Sequence, residues 1–120
     1  MAFQLLLRYG AVGIVNTLLH WGVFLALFHA GYDQKTSNVV AFCVAVTFSF
    51  FVNAKWTFKA PPTTVRYCLY VVFMGALALG FGWMADRIEL PPLVTLAAFS
   101  AMSLVLGFIY SRMIVFRQET

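Results

Sequence analysis

The sequence predicts an all-α integral membrane protein of four transmembrane helices, paired as two helical hairpins in one domain spanning 1–120. Three observations lead there. Of 120 residues, 62% are hydrophobic and only 10% are charged, against about 25% in an ordinary soluble domain. The mean hydropathy is +0.88. The few charges also cluster, leaving four long uncharged runs between them. Eight basic and four acidic side chains cannot cover a soluble protein that carries 13 Phe, 5 Tyr and 3 Trp. A soluble globular enzyme is excluded.

Each run is long enough for one span. The first goes from Tyr9 to Tyr32, after Arg8. The second, after Asp33 and Lys35, goes from Thr36 to Ala54. Lys55, Lys59 and Arg66 bracket a link containing Pro61-Pro62, and the third run then covers Tyr67 to Ala85. Asp86, Arg87 and Glu89 precede the fourth, from Leu90 to Ser111. Crossing a hydrocarbon core of ~30 Å takes about 20 helical residues, so no run holds two spans. The predicted helices are 9–32, 36–54, 66–86 and 90–112. No segment alternates polar and apolar residues as a membrane strand would. The first run is too long for a cleaved signal peptide, and no small-residue cleavage site ends it.

Orientation follows from Lys and Arg. Four spans put both termini and the central link on one side, which then holds Arg8, Lys55, Lys59, Arg66, Arg112 and Arg117, six of the eight basic residues. That side is expected to be cytoplasmic. The net charge of +4 is then topology and contact with membrane lipids. Nucleic-acid binding would need a soluble basic face, and none is available. Cys43 and Cys68 lie at different depths, too far apart to pair. They read as small apolar packing residues with no zinc-like spacing, and neither a metal nor a cofactor is expected.

The chain reads as an internal repeat, with units of about 8–59 and 66–117. Arg8-Tyr9 opens the first and Arg66-Tyr67 the second. Ala41-Phe42 recurs as Ala98-Phe99, and the segment from Phe51 to Lys59 faces that from Phe108 to Arg117 with one insertion. Each unit begins and ends on the same side, so the repeat is parallel about an axis along the membrane normal. Small residues four apart, Ser103 and Gly107 with Ser111 on the fourth helix and Ala76 with Gly80 on the third, are expected to allow close helix packing.

Polar side chains inside a span are costly, so each asks for a reason. Asn16, Thr17 and His20 fall in the first span, with Asn16 and His20 four apart on one face. Three roles are open to them: hydrogen bonding within the bundle, lining a path for a hydrophilic cargo, or proton carriage by His20. Asn53, Lys55, Trp56 and Lys59 end the second span. Lys and Trp are ordinary interfacial anchors, yet Lys55 with Arg8, Arg66 and Arg112 could also hold a lipid phosphate, with Asn53 beside them. No Asp or Glu lies in any of the four uncharged runs and there is no phosphate-binding G-x-x-x-x-G-K-[ST] loop. No catalytic constellation can be assembled, so the chain is not expected to be an enzyme.

The stretch Arg8-Tyr9-Gly10-Ala11-Val12-Gly13-Ile14-Val15-Asn16-Thr17, followed by Phe51-Val52-Asn53-Ala54-Lys55-Trp56-Thr57-Phe58, resembles the GtrA-like family of small four-helix membrane proteins. Leu90-Pro91-Pro92 and Ser111-Arg112-Met113-Ile114-Val115-Phe116 fit the family's second half. The resemblance implies a flippase of the bacterial inner membrane. Such a protein moves undecaprenyl-phosphate-linked glucose to the periplasmic leaflet, as in phage serotype-conversion clusters, where a membrane glycosyltransferase partner glucosylates O-antigen. The family brings no defined site, so the residue roles rest on the physical reading. On that reading Asn16, Thr17 and His20 line the path, while Arg8, Asn53, Lys55, Arg66 and Arg112 meet the phosphate. At the repeat shift of 58 the polar stripe falls on Met74 and Ala78, so a homo-oligomer that joins two stripes is expected. Two other classes stay open. A small multidrug-resistance-like exporter would need the membrane glutamate that is missing here, and a non-transporting subunit of the glycosyltransferase would need only the bundle.

Overall fold

The computed structural model describes residues 2–117, and among them every regular element is helical. The order is α1 (Ala2–His29), α2 (Gln34–Val52), α3 (Thr64–Arg87) and α4 (Pro92–Tyr110). Both α2 and α4 run on into one π-helical turn, Asn53–Thr57 and Ser111–Val115 respectively. Four segments are long and apolar enough to cross a membrane: Phe3–His29, Thr36–Thr57, Thr64–Ala85 and Ala97–Val115.

The helix ends differ from the charge boundaries for physical reasons. α1 begins at Ala2, since Arg8 marks where apolar sequence starts but does not interrupt a helix. It stops at His29 because Gly31, at φ 107°, turns the chain. The amide of Gly31 donates to the Phe28 carbonyl (3.2 Å) and that of Tyr32 to the Leu27 carbonyl (3.1 Å), the paired bonds of a Schellman stop. Asp33 then caps α2, its carboxylate accepting from the Thr36 amide at 2.8 Å. Thr63 starts α3 in the same manner, its hydroxyl accepting from the Arg66 amide at 3.2 Å. At the end of α3 the Leu90 amide donates to the Ala85 carbonyl (3.0 Å) and Glu89 takes φ 54°. Pro91 is extended and Pro92 opens α4, where its missing N–H costs nothing.

The chain divides into two units, one up to Pro62 and one from Thr63 onward. In the first, Tyr9 and Val12 of α1 are buried together with a row on α2 and its π turn spaced every four residues: Ser37, Ala41, Ala45, Ser49, Asn53 and Thr57. None of the six is bulky, and a ridge of small side chains lets two backbones approach closely. Such a row creeps round an α-helix by about 40° per step. The wider π turn takes the creep back, so Asn53 and Thr57 both stay inside. Val46, Phe50, Ala54, Phe58 and Ala60 are buried beside the row, with Phe58 tilted against Tyr9 at 6.3 Å between ring centres.

The second unit is packed by aromatic pairs. Phe73 stacks on Tyr110 at 3.9 Å, Tyr70 meets Phe116 at 6.3 Å and Phe81 meets Phe99 at 5.5 Å. Gly107, Phe108, Ser111 and Val115 are buried. Gly107 is buried, whereas Gly80 is exposed and a β-carbon placed there would meet no atom within 4 Å. Ser103 is half-buried, its hydroxyl turned back to the Ser100 carbonyl at 3.2 Å. Cys43 and Cys68 are free thiols on the outer faces of their hairpins, rather than packing residues of the interior.

Candidate functional site

The seam between α1 and α2 carries a string of polar pairs. Near the α1 start, the Arg8 guanidinium donates to the Trp56 carbonyl at 3.1 Å and lies 5.2 Å from the centre of the Trp56 ring. The π turn comes next, where the Thr57 hydroxyl donates to Asn53 Oδ1 at 2.8 Å. Farther along, Ser49 Oγ donates to Asn16 Oδ1. Beyond that, the side chains of His20 and Asn38 are hydrogen-bonded. At 1.5 Å per residue, Asn16 stands roughly 12 Å and His20 roughly 18 Å along α1 from Arg8. Polar groups therefore recur over most of a bilayer leaflet's depth and into the next.

Asn16 and His20 are half-buried and share this seam. Thr17 does not join them: it is exposed, and its hydroxyl donates to the Gly13 carbonyl of its own helix at 3.0 Å. That bond satisfies the hydroxyl locally, as is usual for a helical threonine. Asn53 is 1% exposed and turned into the hairpin, where it bonds Thr57. Lys55 is exposed on the same π turn. In the second unit Arg66 donates to the Arg117 carbonyl at 3.1 Å. Arg112 is exposed on the π turn of that hairpin.

The two hairpins end alike. In each, an arginine near the start of the first helix donates to a backbone carbonyl at the hairpin's end, Arg8 to Trp56 within the π turn and Arg66 to Arg117 just past it. The turn itself is closed by Phe58 N–H on the Asn53 carbonyl (2.8 Å) and by Phe116 N–H on the Ser111 carbonyl (2.7 Å), at a shift of 58. The left-handed positions Gly31 and Glu89 are also 58 apart.

Sequence reasoning missed Asn38 and Ser49 on α2 and Thr57 on the π turn that follows it. Ser49 and Thr57 belong to the four-residue spacing of Ser37, Ala41, Ala45, Ser49, Asn53 and Thr57, which marks a helix face but not the neighbour it meets, and Asn38 lies outside that row. The polar side chains of the seam between Arg8 and the far loop are neutral hydrogen-bonding groups and a histidine. Such a set exchanges hydrogen bonds with hydroxyls, but offers no carboxylate to carry protons. Among the described residues no group of three or more His, Cys, Asp or Glu could hold a metal ion.

Comparison with known proteins gives this arrangement its context. The chain is 56% identical over 115 residues to the bactoprenol-linked glucose translocase of Shigella phage SfX, covering 95% of this chain and 96% of that one. It is 55% identical, with the same coverage, to the prophage bactoprenol-linked glucose translocase homolog of Escherichia coli strain K12. The translocase of Salmonella phage P22 is 53% identical over the same shares. No solved structure matches. The family model for the GtrA/DPMS transmembrane domain matches residues 8–116, and the chain belongs to that family.

Proposed function

We propose that this protein is a translocase of bactoprenol-linked glucose, carrying the lipid-linked sugar between membrane leaflets for O-antigen glucosylation without catalysing a reaction on it. The observation that carries the proposal is identity above 50% over 95% of the chain to translocases of that substrate. The α1–α2 seam supports it physically. An unpaired hydroxyl costs about 4–8 kcal/mol in hydrocarbon, and glucose has several beside a phosphate charge. Asn16, His20 and their partners Ser49 and Asn38 replace part of that lost hydration at depth, while the polyprenyl tail stays in lipid.

In this reading the termini and the Pro61-Pro62 link face the cytoplasm, where six of the eight basic residues gather. In the first hairpin Lys55 and Arg8, and in the second Arg112 and Arg66, are the cations offered to the phosphate there, with Lys55 and Arg112 exposed on their π turns. The protein sits in the bacterial inner membrane, and transport runs from the cytoplasmic to the periplasmic leaflet. It is downhill, drawn by a partner glycosyltransferase that consumes the glucose. The matching π turns and left-handed positions at a shift of 58 support an internal repeat. A homo-oligomer supplies a second polar seam, since positions 74 and 78 of the second hairpin are Met and Ala.

The test is leaflet exchange of polyprenyl-phosphate-glucose in liposomes holding the purified protein. Exchange above that of protein-free liposomes is expected with or without a pH gradient. Absence of exchange by folded protein contradicts the translocase reading.

A further inference from the structure

The second hairpin has an open cleft of about 360 Å³ between the start of α3 and the end of α4, lined by Thr64, Val65, Cys68, Leu69, Val72 and Tyr110. That volume lies in the range of ligand clefts, roughly 300–1,000 Å³. Five of the six residues form one stripe on the first turns of α3, about 12 Å long at 1.5 Å per residue. The stripe is apolar. Tyr110 contributes only its ring, because its hydroxyl is committed to the Leu69 carbonyl at 3.0 Å and the ring is clamped on Phe73. Val65 and Val72 stand 69% and 70% exposed, and as β-branched side chains they hold their shape.

Cationic groups gather at one end of this stripe. Arg66 follows Thr64 by two residues and its guanidinium reaches the Arg117 carbonyl. Arg112 follows Tyr110 by two residues and is exposed. An apolar stripe of one helix's width that starts at two arginines matches a ligand with a single hydrocarbon chain attached directly to a phosphate. A phospholipid fits less well, because its glycerol splits two diverging chains from the phosphate. We propose that this cleft holds the phosphate-proximal isoprene units of polyprenyl phosphate, with Arg66 and Arg112 on the phosphate. The inference rests on the translocase reading for the identity of the carrier.

The test uses the full-length protein in lipid nanodiscs and a polyprenyl phosphate bearing a photoreactive diazirine near the phosphate. The cross-link is mapped by mass spectrometry, with leaflet exchange measured in parallel. Cross-linking is expected within residues 64–72 and at Tyr110, displaced by unlabelled undecaprenyl phosphate and not by equimolar phosphatidylglycerol. Val65→Trp or Val72→Trp fills the cleft from an exposed position and is expected to cut the cross-link roughly tenfold or more. Competition on the unaltered protein decides the matter if either variant fails to fold. Cross-links elsewhere, or equal displacement by phosphatidylglycerol, overturn the cleft assignment. Such a result beside normal exchange leaves the translocase reading standing. Cleft cross-linking without exchange supports the carrier site and overturns translocation instead.

Discussion

Ser49 Oγ donates its proton to Asn16 Oδ1 across the α1–α2 seam, joining residues 33 apart in sequence. Each side chain on its own would be a polar group facing hydrocarbon or a packed helix. Together they form a satisfied pair in which the Asn16 amide N–H groups remain available as donors to a sugar hydroxyl. The pair thus joins the two helices and, on the proposed path, offers donors to the cargo, and the two contributions separate by substitution. A double-mutant cycle with Asn16→Ala and Ser49→Ala should give a coupling of about 0.6 kcal/mol, the usual size for hydrogen bonds between membrane helices. Reversible unfolding in bicelles measures it, and a coupling near zero contradicts the pairing.

Arg8 fastens the start of α1 to the π turn through both its Nη1 and its charge over the Trp56 ring. Lysine cannot reproduce the planar guanidinium at such a site. Arg8→Lys should therefore lower hairpin stability by about 0.5–1 kcal/mol, the size of an exposed cation–π contact. Arg8→Ala should do so by somewhat more, and Trp56 fluorescence should shift in both. Thermal unfolding of the same variants checks the order.

The two tight turns make an opposed pair of predictions. Gly31 and Glu89 both have positive φ, and both are exposed. Gly31→Ala meets no steric obstacle, since no atom lies within 4 Å of the added carbon. It should still cost about 1 kcal/mol through backbone strain alone. Glu89→Gly should stabilise by a similar amount. Equilibrium unfolding of the two variants should move in opposite directions.

Asp33 caps α2 from the loop, and hydrogen bonds from Thr36 hold its carboxyl below the ordinary carboxylate range. Its folded-state pKa is therefore depressed. The stabilisation is fully present above the ordinary carboxylate pKa of about 3.9 and fades as pH falls through the lower, folded-state value. Asp33→Asn should keep the cap while removing this acid dependence, whereas Asp33→Ala should lose both. Helicity followed by circular dichroism from neutral pH downward distinguishes the three proteins.

Clustered charges made four spans legible, because a span excludes charge more strictly than any soluble helix does. The helix ends were less legible. Arg8 is a good helix former lying inside α1, and Gly31 ends that helix through φ rather than through polarity. Asn16 and His20 stood out as intramembrane polar residues on one face. Their partners Ser49 and Asn38 did not, since a serine on a second apolar helix carries no mark of which neighbour it faces. Asn53 resembled an interfacial headgroup contact by position, whereas the π turn rotates it inward onto Thr57. No proline or glycine inside Asn53–Thr57 announces that turn. The requirement is tertiary: keeping a row of small side chains on one side of the helix.

The most direct test of the polar seam is leaflet exchange of polyprenyl-phosphate-glucose by wild-type protein and by Asn16→Leu with His20→Leu, reconstituted at equal density. With the seam as the headgroup's path, the double variant keeps its helicity and loses at least about tenfold in exchange rate, since losing one hydrogen bond to a sugar hydroxyl already costs about 1 kcal/mol or more. Exchange at the wild-type rate by the folded double variant would contradict the account.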